Sequence, residues 1–311
     1  MNGRLRHFLE IDDLSASELA SVLDAAEKPA PQDLLLRRSV GLIFEKPSLR
    51  TRNSCEAAIA TLGGHPVSIF DAEIGLDKRE SVEDITRVLA GYYCAIGARV
   101  FGHSKVERMA AVSAVPVINL LSDDAHPCQA LADLLTIRQR FGSLGGLTIA
   151  WVGDFTNVAR SLAFGALMSG AHVRVACPPG YGPTEADLDH ARLLCAPGAT
   201  ISVHARPAEA VEGANVVSTD SFVSMGKELE AAIRKQVFEG YQVDHRLMAA
   251  AGSDAVFMHC LPAHRGDEVS ADVIDGPQSL AFPQAHNRMH AFRGLLVWMM
   301  TANTDHLQRG V

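Results

Sequence analysis

Apolar and polar positions along the chain form short apolar runs separated by amphipathic stretches. In Leu14-Ser15-Ala16-Ser17-Glu18-Leu19, Ser15 is a helix cap and Glu18 follows in capping-box register, predicting a helix to about Ala26. Val40-Gly41-Leu42-Ile43-Phe44 reads as a buried strand that the polar Glu45-Lys46-Pro47-Ser48 ends, and Thr51 to Leu62 reads as a helix. The alternation continues: strand over 66–70, helix over 82–92, strand over 95–101, helix over 106–111, strand over 115–119. Strands alternating with helices imply parallel β-α-β units.

A long helical pattern over 127–141 is broken by Gly142-Ser143-Leu144-Gly145-Gly146, where a domain boundary is expected. Apolar strands recur over 147–152, 171–176, 199–203, 214–218 and 255–259. A final apolar helical stretch, about 287–301, has no strand after it and is expected to pack back on the first domain. The expected fold is therefore α/β: two open parallel-sheet domains, 1–142 and 143–285, with helices on both faces and a closing segment 286–311.

Composition narrows the class. The 311 residues carry 28 Lys+Arg against 36 Asp+Glu, a net charge of −8, with no basic run, so an extended nucleic-acid surface is not expected. No stretch reaches the ~18 uninterrupted apolar residues of a membrane span. The opening Met1 to His7 runs into Asp12-Asp13 without an apolar signal region, and the 6 cysteines are scattered without a C-x-x-C. Both features lead us to expect a cytoplasmic protein with reduced thiols and no metal site.

In open parallel sheets ligands bind beyond the carboxyl ends of the strands, so the loops there carry the chemistry. Ser48-Leu49-Arg50-Thr51-Arg52 joins a strand to a helix start, where backbone N–H groups, hydroxyls and guanidiniums can converge on an anion. Taken alone, the same segment reads equally as an exposed helix start with solvated arginines. In the loop Ser122 to Gln129, His126 can donate to a carbonyl oxygen and Gln129 can bond an amide. The strand ending Met258-His259-Cys260-Leu261-Pro262 carries a thiol at its tip, though a lone cysteine is most often a small core residue.

Together, Phe44 to Arg52, His126-Pro127-Cys128-Gln129 and His259-Cys260-Leu261-Pro262-Ala263-His264-Arg265-Gly266 resemble, in order and spacing, the signatures of the ornithine carbamoyltransferases. Arg99 in Ala98-Arg99-Val100-Phe101, the loop Asp220 to Gly226, Asp275 to Ser279 and Asn287-Arg288 extend the likeness over nearly the whole chain. The resemblance implies that Ser48, Leu49, Arg50 and Thr51 hold the phosphate of carbamoyl phosphate, while Arg99, His126 and Gln129 reach its carbamoyl end. It implies that Asn157, Asp220, Ser224 and Met225 hold ornithine, and that Cys260, Leu261 and Arg288 frame the reacting groups. Arg50, Arg99, His126, Cys260 and Asp220 are the implied catalytic set, in a homotrimer without metal or organic cofactor.

The sequence departs from the family pattern in several places. Leu49 stands where the family has a hydroxyl, Phe155 and Thr156 stand in the turn before Asn157, and His286 stands for a glutamate. Gly75 stands for a glutamine that a neighbouring subunit lends, with Lys78 nearby as a substitute cation. Three readings follow: an ornithine enzyme with a divergent phosphate loop, a paralogue acting on a related amine, or a catalytically weak binding homologue.

Overall fold

The computed structural model describes residues 5–223 and 228–307. The chain divides into two compact units, one from Met1–Leu135 and His286–Val311, the other Thr136–Ala285.

The first unit holds α1 (Ala16–Glu27), β1 (Ser39–Phe44), α2 (Leu49–Thr61), β2 (His65–Phe70), α3 (Asp71–Ile74), α4 (Val82–Ala90), β3 (Ala95–Arg99), α5 (His103–Val112), β4 (Val117–Leu121) and the start of α6 (Pro127–Phe141). Its four parallel strands run in the order β2-β1-β3-β4. Central β1 and β3 are buried almost throughout, which explains their unbroken apolar runs, whereas β2 at the sheet edge is half-exposed. Ile43, Ile96, Ala98 and Val117 form a core with Val82, Val106 and Met109 from the helices.

The second unit contains β5 (Thr148–Val152), α7 (Asn157–Met168), β6 (His172–Ala176), α8 (Glu185–Leu194), β7 (Ile201–His204), α9 (Pro207–Val211), β8 (Val216–Thr219), α10 (Ala231–Val237), α11 (His245–Ala251), β9 (Val256–His259) and α12 (Ala271–Ile274). Its five parallel strands run β7-β6-β5-β8-β9 over a core that includes Val152, Val217, Phe238 and Phe257. No helix among the described residues is long and apolar enough to cross a membrane.

α13 (Ala281–Ala302) and α14 (Thr304–Leu307) follow, and all but the first turn of α13 belongs to the first unit. Arg293 donates to the carbonyls of Ala26 and Lys28 at 2.6 and 2.9 Å, so a cation satisfies the open C-terminal end of α1. A Cβ on Gly294 would lie 2.5 Å from the Val22 oxygen and 2.7 Å from the Ala26 nitrogen, so only glycine permits this approach. The closing helix thus lies on the first unit, as the pattern implied.

Some boundaries differ from the sequence reading. α13 begins at Ala281, ahead of the expected 287, because Pro283 falls in its first turn, where a missing N–H costs nothing. α5 begins at His103 because Gly102 takes the extended N-cap conformation although it has no capping side chain. The division between the units falls within α6, and the helix runs on to the glycines, with Gly142 at φ 82°.

Candidate active site

Each sheet changes winding direction once, between β1 and β3 in the first unit and between β5 and β8 in the second. Such switch points open crevices at the strands' carboxyl ends, and the loops there carry the residues singled out above.

In the first unit, Ser48 caps α2, its Oγ accepting the Thr51 N–H at 3.2 Å. The cap turns the first N–H groups of the helix towards the end of β1, a ready anion cradle. Thr51 is 2% exposed, and its Oγ1 accepts from Arg288 Nη2 at 2.9 Å and Arg99 Nη1 at 3.3 Å. Arg288, on α13, also donates from Nη1 to Gln129 Oε1 at 2.5 Å, and Gln129 passes a bond on to Asp133 at 2.7 Å. Thr51, Arg99, Gln129 and Arg288 are therefore one hydrogen-bonded cluster drawn from α2, β3, α6 and α13.

Two guanidiniums share one neutral acceptor there, which concentrates positive charge in a buried place. His126 feels it: burial first, then the charges of Arg288 and Arg99, hold its pKa well below the ordinary imidazole value. The ring is neutral at physiological pH and can donate a hydrogen bond without bringing charge. Lys46 belongs to the same electrostatic set, its ammonium 4.3 Å from the Phe101 ring centre and its pKa lowered by burial and by Arg99. Beneath these groups burial pushes the Cys128 thiol up to about 12, so it is an inert core thiol.

Arg50 is half-buried in the first turn of α2, whereas the Leu49 side chain is 74% exposed. Leu49 is therefore not packed into a rebuilt pocket. Lys78 is a surface cation, 73% exposed, 3.0 Å from Asp71. Gly75 ends α3 at φ 58°, a left-handed position that disfavours the glutamine expected from the family. His286 is exposed on α13.

In the second unit, Cys260 Sγ donates to Asp220 Oδ1 at 3.2 Å, and Asp220 also accepts the Ser221 N–H at 2.7 Å. Thiol and carboxylate come from the ends of β9 and β8, which are neighbours in the sheet. Asn157 opens α7 beyond β5, after Thr156 at the N-cap, and Phe155 N–H is tied to the Tyr181 carbonyl at 2.8 Å. Ser224 and Met225 lie outside the described residues. Asp220, His259 and Cys260 present ligand atoms within 4.8 Å of one another. Within this trio the Cys260 thiol already donates to Asp220, and Nδ1 of His259 accepts the Leu261 N–H at 2.9 Å.

Sequence reasoning gave no role to Arg234, which is 3% exposed, bonds the Phe222 carbonyl at 2.5 Å and pairs with Asp154 and Glu230. Its guanidinium stands 5.0 Å from the Tyr181 ring centre and 5.4 Å from that of Phe238. It binds the loop after β5 to the loop after β8. Local patterning marks it only as a helix arginine; the signal was tertiary.

Residues 6–139 match the family model described as the carbamoyl-P binding domain of aspartate/ornithine carbamoyltransferase, and residues 145–299 match its Asp/Orn binding domain. The chain is 47% identical over 304 residues to the ornithine carbamoyltransferase of Acidothermus cellulolyticus, covering 96% of this chain and 97% of that protein. It is 45% identical to the enzyme of that name from Mycobacterium leprae over 302 residues, covering 95% and 99%. The solved ornithine carbamoyltransferase of Pyrococcus furiosus superposes with a TM-score of 0.91 at 42% identity, covering 96% of this chain and 97% of that one. That of Giardia lamblia gives 0.87 at 32% identity, covering 96% and 99%. With both family domains matched in order over nearly its full length, the chain belongs to the aspartate/ornithine carbamoyltransferase family.

Proposed function

We propose that the chain transfers the carbamoyl group of carbamoyl phosphate to the δ-amine of L-ornithine, giving citrulline and phosphate. The observation that carries this reading is the hydrogen-bonded cluster of Thr51, Arg99, Gln129 and Arg288 beside a neutral His126, in a chain so similar to ornithine carbamoyltransferases.

The chemistry follows from charge. As the δ-amine attacks the carbamoyl carbon, negative charge grows on the carbonyl oxygen and on the departing phosphate. Ser48, Arg50, Thr51 and the N–H groups opening α2, that of Leu49 among them, hold the phosphate. Arg99, Arg288 and the donating ring of His126 face the carbonyl oxygen, and Gln129 takes the carbamoyl NH₂. Such donors are fixed in advance by their mutual bonds, and losing one typically costs ~10²–10³ in rate. Asn157, Asp220, Ser224 and Met225 orient the amino acid. Asp220 with Cys260 receives or orients the amine proton, and the Leu261 backbone borders the reacting group.

The protein functions as a cytoplasmic homotrimer in arginine biosynthesis, with Lys78 offered to the neighbouring subunit's site. A related amine as acceptor is the second reading, favoured by Phe155 and Thr156 in the turn before Asn157. Assaying purified protein with carbamoyl phosphate and ornithine, lysine, putrescine or aspartate separates the two. Ornithine should give the highest kcat/KM by at least about tenfold, roughly 1.4 kcal/mol of discrimination; a preference for another amine would replace the first reading by the second.

A further inference from the structure

His259 ends β9, is fully buried, and belongs to a motif in which only its two successors have a role so far. Its backbone N–H donates to Gln284 Oε1 at 2.9 Å, and its ring Nδ1 accepts the Leu261 N–H at 2.9 Å. A nitrogen that accepts carries no proton, so in the neutral ring the proton sits on Nε2. Nε2 lies 3.3 Å from Glu268 Oε1, a charge contact without hydrogen-bond alignment, and the two side chains are 0% and 1% exposed.

Glu268 is suited to hold that proton in place. Burial, the largest influence, would push its pKa up, but the neighbouring His259 ring and the hydrogen bond from the His264 backbone hold it below the usual carboxylate value. It accepts the His264 N–H at 2.5 Å, and its other oxygen lies 3.6 Å from His264 Nδ1. A buried carboxylate beside the ring thus favours the one tautomer that leaves Nδ1 bare for Leu261.

What the ring holds is unusual. Leu261 has φ 59°, a left-handed conformation that a leucine does not favour by itself. Among the bonds that hold the turn are those of His259 Nδ1 with the Leu261 N–H and of the Ser221 hydroxyl with the Pro262 carbonyl at 3.0 Å. Cys260, between His259 and Leu261, has its thiol on Asp220. We propose that His259, with its tautomer set by Glu268, is the positioning residue that fixes the Leu261 backbone and aims the Cys260 thiol. This inference rests on the proposed transferase reading, in which Cys260 and Leu261 border the reacting group.

The test uses full-length protein in three variants, His259→Asn, His259→Gln and Glu268→Gln. The asparagine amide oxygen reaches about where Nδ1 stood and can accept the Leu261 N–H, whereas the glutamine amide reaches about where Nε2 stood and cannot. Displacing a reacting group by ~1 Å can cost ~10² in rate, so His259→Gln should lose up to about 100-fold in kcat while carbamoyl phosphate affinity changes less than about twofold. His259→Asn should recover most of that loss. Equal losses in both variants, tracking a lower melting temperature, or near wild-type kcat in His259→Gln would overturn the proposal. A second readout does not depend on the variants folding: ¹⁵N NMR of the wild-type His259 ring should show the proton on Nε2, and a proton on Nδ1 would overturn it. Glu268→Gln should raise the Nδ1–H population, and an unchanged ratio would refute the carboxylate's part. If the wild type forms no citrulline, the transferase reading fails whatever the ring's tautomer.

Discussion

Replacing Thr51 by valine removes one buried hydroxyl at nearly constant volume, and the structure says what that hydroxyl does. Its Oγ1 accepts from Arg288 at 2.9 Å and from Arg99 at 3.3 Å. A hydrogen bond to a charged group is worth ~1.5–3 kcal/mol, and the shorter bond should carry most of it. Arg288 keeps its second bond to Gln129, so it is not left alone, and the net stability loss should be about 2 kcal/mol. The site keeps its full charge but loses the group that aims both guanidiniums. Carbamoyl phosphate should bind about 10–100-fold more weakly, following ~1.4 kcal/mol per factor of ten. Thr51→Ser, which keeps the oxygen, should recover most of the binding. Calorimetric titration with carbamoyl phosphate decides the matter. An unchanged dissociation constant in the valine variant would refute the idea that this cluster organises the carbamoyl phosphate site.

Four further outcomes follow from other parts of the molecule. Because the folded state holds the His126 pKa below its unfolded value of ~6.5, the unfolded chain binds the extra proton, and stability should fall as pH drops below about 6.5; His126→Gln should flatten that slope in melting curves between pH 5 and 7, and an unchanged slope would contradict the assignment. Gly294→Ala places a Cβ 2.5 Å from the Val22 oxygen and should cost at least ~1–3 kcal/mol in thermal melts, whereas an unshifted melting temperature would mean the α1–α13 approach is looser than described. Lys78→Ala breaks an exposed pair and should change stability by less than ~1 kcal/mol, yet lower turnover if the neighbouring subunit uses the ammonium; equal turnover would remove Lys78 from the site. Light scattering should give the mass of a trimer, and an active monomer would exclude a site shared between subunits.

The alternation of elements was legible because each element announces itself locally. Ser15 and Glu18 form the capping box they spell, and the unbroken apolar run of β1 reflects burial on both faces. Gly102 and Pro283 concealed the starts of α5 and α13, since neither residue type advertises a helix although both are tolerated at its first positions. The candidate site divides in the same way. Ser48 and Cys260 lie in loops that the strand pattern locates, while Thr51 owes its place in the cluster to Arg288, 237 positions away. His259, Glu268 and Arg234 have roles only through partners that folding brings to them, so no local pattern could assign them. Leu49 shows the opposite limit: the motif puts it in the expected phosphate loop, but its side chain is exposed to solvent, so the proposed binding draws on its backbone N–H alone.

The proposed reaction makes one new C–N bond, and ¹³C-labelled carbamoyl phosphate follows it directly. Mixed with L-ornithine and the purified protein, the label should leave the carbamoyl phosphate resonance and appear at the ureido carbon of citrulline, coupled to a ¹⁵N-labelled δ-nitrogen, in step with phosphate release. Phosphate release with the label in bicarbonate, or no transfer beyond the uncatalysed background, would contradict carbamoyl transfer to ornithine by this protein.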